Sequence, residues 1–133
     1  MRFSGQHVVI TGASTGIGRA TADRIVAEGG KVTLIARRAE LLAQACAELG
    51  AGAQWAAADV GDKAQLIAAL DSAIAQNGPI DGLFLNAADG GEFAPLLDYS
   101  EEAFEATINV NIRSPWWAVR HVLPAMVARG KGA

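Results

Sequence analysis

The residues with the most chemistry to offer form one short run, Thr11-Gly12-Ala13-Ser14-Thr15-Gly16-Ile17-Gly18. It follows the apolar run Val8-Val9-Ile10, which reads as a buried parallel strand, and opens onto Arg19–Glu28, which reads as a helix. In that setting each glycine has a task. Gly12 lets the chain turn off the strand end, Gly16 lets the main chain approach a phosphate, and Gly18 lets the helix pack closely. The N–H groups of the first helical turn, with the positive end of the helix dipole, suit a pyrophosphate. Ser14 and Thr15 add hydroxyl donors at the rim. Thr11, Gly12, Ser14, Thr15, Gly16, Ile17 and Gly18 are therefore the candidate phosphate-side residues. The plainer alternative is a glycine-rich turn with no ligand. A Walker-type phosphate loop is excluded, because no Gly-Lys-Ser/Thr follows.

A second group ends the next strand-like run, Lys31–Ala36. In dinucleotide-binding folds that strand end meets the adenosine ribose, and an acidic residue there would bond both hydroxyls and favour NAD. This chain has Ala36 followed by Arg37 and Arg38. Guanidinium forks pair well with a 2′-phosphate and do little for a bare hydroxyl, so NADP is favoured, with NAD left open. The alternative for Arg37 and Arg38 is a solvated start to a helix. No metal is expected, because His7 and His121 are far apart and lack cysteine or acidic companions at ligand spacing. No Gly-x-Ser-x-Gly elbow or Ser/His/Asp set points to hydrolysis.

Positioning these residues requires alternating strands and helices. The pattern predicts strands at His7–Thr11, Lys31–Ala36, Ala53–Ala58 and Ile80–Asn86, the third being weak by propensity. Helices are predicted over Arg38–Leu49, with Leu42, Cys46 and Leu49 on one face, and over Asp62–Gln76, with Leu66, Leu70 and Ile74 four apart. Ser100 can cap one long helix from Glu101 to about Arg129. Pro115, lacking an N–H, should kink it and release the carbonyl of Asn111. Trp116 and Trp117 cannot share a helix face, so one belongs in the core and the other outside or at a subunit contact. Short connections between alternating elements imply an α/β fold, a Rossmann-type doubly wound parallel sheet of strand order 3-2-1-4, with its crevice where strands 1 and 4 diverge.

The Gly-x-x-x-Gly-x-Gly spacing behind Thr11 resembles the short-chain dehydrogenase/reductase family, and three further motifs follow in that family's order. The resemblance implies that Asp59 contacts the adenine amino group and the Val60 amide a ring nitrogen; a turn cap before the third helix is the competing role for Asp59. Leu85-Asn86-Ala87-Ala88 stands where the family has Asn-Asn-Ala-Gly, so Asn86 and Ala87 match and Ala88 replaces a glycine. Asn86 is then expected to brace the sheet end and the cofactor ribose. Asn111, in Asn109-Val110-Asn111, would be the catalytic asparagine, whose main-chain carbonyl holds a water in a proton relay; a buried helix asparagine beside an incidental kink is the alternative. The family's catalytic serine, and its Tyr-x-x-x-Lys pair, lie beyond a fifth strand. Tyr99 is the only tyrosine and is followed four residues on by Ala103, so it does not fill that role.

The resemblance covers the whole chain but the first half or so of a family member. It implies an NADP-dependent oxidoreductase that moves a hydride between the nicotinamide and a small carbonyl or alcohol substrate. A chain ending at Ala133 is expected to be inactive alone, either as a fragment or as a natural short form. A non-catalytic dinucleotide-binding or interaction module is the second reading.

Bulk properties fit one domain over residues 1–133, long enough to bury about two-thirds of its unfolded surface. A net charge of −3 gives no reason to expect nucleic acid or an anionic membrane as partner. No apolar run approaches the ~18 residues of a membrane span, and Met1–His7 lacks a signal-peptide pattern. A lone cysteine, Cys46, excludes an internal disulfide, is expected in the core, and suits a cytoplasmic protein. An apolar fourth strand left as a sheet edge should recruit another chain or be covered, so a homo-oligomer is expected.

Overall fold

β-Branched and apolar runs set the strands of the computed structural model, which describes residues 1–133. β1 (His7–Thr11), β2 (Lys31–Ala36), β3 (Ala53–Ala57) and β4 (Gly82–Phe84) form one parallel sheet in the order β3-β2-β1-β4. Val9 pairs with Thr33 on one side and Leu83 on the other, and Leu34 pairs with Trp55. Alternate residues leave the strands toward opposite faces. Val8, Ile10, Val32 and Leu34 pack with Ala22 and Ile25 of α1 (Gly16–Ala27) and with Leu42 and Ala45 of α2 (Ala39–Leu49). Val9 and Ile35 pack on the other face with Leu66, Leu70 and Ala73 of α3 (Lys63–Asn77) and with Ala118, Val122 and Met126 of α5 (Ser114–Arg129). Helices cover both faces, which is why Val8-Val9-Ile10 is apolar throughout rather than alternating. Each fully buried Leu, Ile or Val contributes about 1.5–3 kcal/mol, and Ile10, Leu34, Ile35, Leu42, Leu66 and Leu70 are fully buried.

Three elements differ from the sequence expectation by more than a residue at an end. α1 starts at Gly16, within the glycine run, so Thr15 is its N-cap. β4 spans only Gly82–Phe84, not Ile80–Asn86, because the Asn86 N–H turns away to the Thr11 hydroxyl and the Phe84 carbonyl. The long helix is three consecutive pieces: α4 (Glu101–Ile108), a π-helical turn (Asn109–Arg113) and α5. The Ser114 N–H bonds the carbonyl of Asn109, five residues back. The widened turn beside Pro115 is thus a single π turn set between two α-helical pieces.

Caps follow the sequence. The Asp62 carboxylate accepts from Gln65 N at 3.1 Å to start α3, and Ser100 Oγ accepts from Ala103 N at 3.1 Å to start α4. Cys46 is half-buried against the α1–α2 side of the core, and burial pushes its thiol pKa up. Trp117 packs on the opposite core, while Trp116 is exposed with the Arg120 guanidinium 4.8 Å from its ring centre. Beside the outer edge of β4 lies Ala133, whose carbonyl accepts from Leu83 N at 2.9 Å and whose N–H donates to Asp81 O at 3.0 Å. No helix is long and apolar enough to cross a membrane.

Candidate functional site

The glycine run, the start of α1 and the segment after β4 are interlocked. Gly12 has φ +64°, and a Cβ there would lie 2.8 Å from Ala87 Cα. A Cβ on Gly18 would lie 2.5 Å from the Gly12 carbonyl oxygen and 2.7 Å from Asn86 Nδ2. Only bare backbone fits at either place. Asn86 Nδ2 donates to the carbonyls of Thr11 (3.2 Å) and Gly12 (3.1 Å), and Thr11 Oγ1 accepts from the N–H groups of Asn86 and Ala87, both at 3.1 Å. Thr11 is buried, so its hydroxyl is the joint between the ends of β1 and β4.

Above this joint, at the carboxyl ends of the strands, lies a cleft of about 380 Å³. Its wall follows the sheet order: Ala58, Asp59 and Val60 after β3, Ala36, Arg37 and Arg38 after β2, Gly12, Ser14 and Thr15 after β1, and Asn86 to Asp89 after β4, with Val110 from the π turn. The sequence candidates Ser14, Thr15, Gly12, Arg37, Arg38, Asp59, Val60, Asn86 and Ala87 are thus brought together. Thr11 and Gly18 lie beneath the wall, and Gly16 and Ile17 sit exposed outside it at the start of α1. Asn111 does not line it.

The open donors cluster here. Thr15 and Arg38 are the N-caps of α1 and α2, and neither side chain bonds its helix, unlike Asp62 and Ser100. Arg37 and Arg38 are exposed and stand outside every ion pair of the molecule. Asp59 faces the cleft and also shapes its own turn, accepting from Gly61 N at 2.9 Å, while its N–H donates to Gln65 Oε1 at 3.0 Å. The N-cap of α3 itself is Asp62, while Asp59 caps the turn before that helix, the competing role open to it from sequence. Val60 is buried in the core.

Asn111 is exposed, which removes the reading of a buried helix asparagine. Its amide clamps the main chain of Asp89: Oδ1 accepts from Asp89 N at 2.8 Å and Nδ2 donates to Asp89 O at 2.9 Å. Asp89 Oδ1 in turn accepts from Gly91 N at 2.7 Å and from Thr107 Oγ1 at 2.9 Å. Sequence reasoning missed Asp89 and Val110. Asp89-Gly90-Gly91 carries a turn signal that could have pointed to the first. Tyr99 accepts from Glu92 N at 3.2 Å and serves the loop.

A second cleft, about 270 Å³, lies at the amino ends of the strands, and of its polar side chains His7, Asn77, Asp81, Arg129 and Lys131 have protein partners while the exposed Lys31 has none. His7 Nδ1 donates to Gly78 O at 3.0 Å, which leaves Nε2 to accept from Thr33 Oγ1 at 2.8 Å. Thr33 Oγ1 accepts from Asn77 Nδ2 at 3.2 Å. Burial lowers the His7 pKa, with the Gly78 carbonyl opposing the shift. Burial alone would raise the Asp81 pKa, but the His7 N–H, Arg129 and Lys131 hold it at about 2.

The two clefts therefore differ in what they offer. The first has α1 amides without a side-chain cap, two free hydroxyls and two unpaired guanidinium groups arranged across a topological switch point. That donor set fits an elongated ligand with a central pyrophosphate and a phosphate toward β2.

A family model for short chain dehydrogenases matches residues 6–133. The chain is 33% identical over 131 residues to a 2-dehydro-3-deoxy-L-rhamnonate dehydrogenase (NAD(+)) of Sphingomonas sp. (strain SKA58), covering 98% of this chain and 52% of that protein. Its structure is similar to a metagenomic short-chain oxidoreductase in complex with NADP (TM-score 0.93, 34% identity, 99% of this chain and 61% of that one). It is also similar to an NAD+-bound xylitol dehydrogenase (TM-score 0.90, 31% identity, 99% and 52%). The chain spans about half the length of the curated relatives it matches.

Proposed function

The chain belongs to the short-chain dehydrogenase family, and from that premise we propose that its cleft holds a nicotinamide dinucleotide, NADP in preference to NAD. The observation that carries this reading is the conjunction at one strand-end cleft of the glycine-interlocked start of α1 and the unpaired Arg37 and Arg38. Relatives bound to NADP and to NAD+ support the cofactor class, and the two arginines support the choice between them. Gly12, Gly16 and Ile17 present main chain to the pyrophosphate, with Ser14 and Thr15 as hydroxyl donors, and Gly18 supports them by letting α1 pack against Gly12 and Asn86. Asp59 and the Val60 amide receive the adenine, Asn86 and Ala87 support the ribose on the β4 side, and Thr11 holds Asn86 in place.

When bound, the dinucleotide supplies a hydride donor or acceptor for a small carbonyl or alcohol substrate. Asn111 acts next to that chemistry through its main-chain carbonyl, in the π turn that Pro115 imposes. These 133 residues contain no Tyr-x-x-x-Lys pair, so a proton at the substrate oxygen has no positioned acid among them. The chain alone therefore binds the cofactor and turns nothing over. The same reading includes a cytoplasmic setting and association with further copies, which exposed Ile112, Trp116, Leu123 and Val127 along the last helical segments support.

The test is a fluorescence titration of the 133-residue chain with NADPH and NADH. Saturable binding, tighter for NADPH and equalised by Arg37→Ala/Arg38→Ala, supports the reading. Equal affinities in the unmodified chain contradict the NADP preference, and no binding of either contradicts the site. Oxidation of NADPH above background in the presence of small ketones would overturn the inactivity of the chain alone.

A further inference from the structure

The ionisable side chains of the cleft wall are sorted by strand. Asp59 stands after β3, Arg37 and Arg38 after β2, and Asp89 after β4; the glycine run of β1 lies between the arginines and Asp89. A dinucleotide whose pyrophosphate lies on that glycine run must send its two nucleosides to opposite sides. If the arginines take the phosphate-bearing adenosine toward β2, the nicotinamide lies toward β4. This step rests on the function proposed above. On the β4 side the other lining residues, Asn86, Ala87, Ala88 and Val110, are neutral, so Asp89 is the one charged group there.

That charge is held in place and is not neutralised. Asp89 enters no ion pair. Its main chain is clamped on both sides by Asn111, and its Oδ1 is fixed by Gly91 N and Thr107 Oγ1. Those bonds use one carboxylate oxygen and leave Oδ2 without a protein donor. Four hydrogen bonds, from α4, the π turn and its own loop, tie down Asp89, two of them on the carboxylate. They prevent the carboxylate from swinging into solvent, as an unrestrained side chain at a half-exposed position would.

The nicotinamide ring carries a positive charge when oxidised and none when reduced. A fixed negative charge in a concave wall acts on that difference and on nothing else the two forms share. We propose that Asp89 sets the redox-form preference of the cleft, favouring the oxidised, cationic dinucleotide over the reduced one. Thr107 and Asn111 serve as positioning residues for that charge. For a partly solvated carboxylate the discrimination is about three- to tenfold.

The experiment is a pair of calorimetric titrations, NADP+ and NADPH, on the unmodified chain and on three variants, with the ratio of the two dissociation constants as the readout. Contributions from the pyrophosphate and the 2′-phosphate cancel in that ratio. Asp89→Asn keeps an oxygen to accept from Thr107 and Gly91 while removing the charge, and should shift the ratio toward NADPH by about three- to tenfold. Ala88→Lys, at an exposed wall position, adds an opposing charge without touching Asp89 and should shift it the same way. Thr107→Val loosens the support but keeps the charge, and should weaken both forms with a smaller change of ratio. An unchanged ratio in Asp89→Asn, with both forms still binding, would overturn the role of Asp89 while leaving the cofactor site intact. An unmodified chain that binds neither form would overturn the site and this inference together.

Discussion

At the amino ends of the strands, His7, Thr33, Asn77 and Gly78 exchange hydrogen bonds among themselves, and Asp81 takes both the Arg129 and Lys131 cations. At the carboxyl ends, Ser14, Thr15, Arg37 and Arg38 line a cleft with no such partners, and α1 starts without a side-chain cap. Both ends are polar, and both sit on the same strands. The difference is where donors are spent. Closed networks fix the sheet and the last helix to each other, whereas open donors and bare glycine backbone are what a phosphate-bearing ligand needs. Polarity alone would not distinguish the two clefts; hydrogen-bond accounting does.

The comparison is broken most severely at the glycine interlock. Gly18→Val should cost about 3 kcal/mol or more, because its Cβ meets main chain that cannot move aside, and should abolish dinucleotide binding. Gly16→Ala sharpens the point: φ is +60° there but nothing lies within 4 Å, so the cost should be only about 1 kcal/mol. Urea unfolding of the two variants checks both values. A Gly18→Val protein as stable as the parent would show that the close contact with Gly12 and Asn86 does not constrain the fold.

Next in size is the effect of removing the free cations. Arg37→Ala/Arg38→Ala should weaken NADP binding by roughly 10- to 100-fold while changing stability by less than about 0.5 kcal/mol, since neither arginine has a protein partner. At the opposite end the signature reverses. Thr33→Val leaves His7 Nε2 and Asn77 Nδ2 unpaired and should cost about 1–2 kcal/mol of stability, with NADP affinity unchanged. Paired urea melts and NADP titrations of both variants measure the contrast, and a Thr33→Val variant that lost affinity without losing stability would blur it.

Much of this was legible in sequence because it depends on local pattern. Alternating apolar runs and helical spacings gave the order β3-β2-β1-β4, Asp62 and Ser100 announced their caps, and the glycine spacing marked the cleft. The parts that were not legible depend on distant partners. β4 ends early because a hydroxyl from β1, Thr11 Oγ1, takes the N–H groups of Asn86 and Ala87. Asp89 becomes a hub only when the fold brings Thr107 and Asn111 against its loop. Pro115 marked a disturbed helix, but a widened turn rather than a simple kink reflects how that helix must both cover the sheet and reach the cleft wall with Val110.

The smallest effect is a pH dependence confined to the amino end. Burial lowers the His7 pKa in the fold below its usual 6.5, so the unfolded chain binds more protons in that range. Stability contributed by neutral His7 is fully present above pH 6.5 and is lost as the pH falls from there toward the folded-state pKa. His7→Asn should flatten that dependence in urea midpoints compared at pH 7.5 and 5.5. An equal slope in the variant would assign the effect to other groups.

The central claim is that open donors at the carboxyl ends, and not the paired ones at the amino ends, make the ligand site. It is tested most directly by titrating NADPH into the unmodified chain, Arg37→Ala/Arg38→Ala and Thr33→Val under one set of conditions. The account predicts saturable binding to the unmodified chain, roughly 10- to 100-fold weaker binding to the double arginine variant, and unchanged binding to folded Thr33→Val. Binding that is absent throughout, or weakened equally by the changes at both ends, would contradict it.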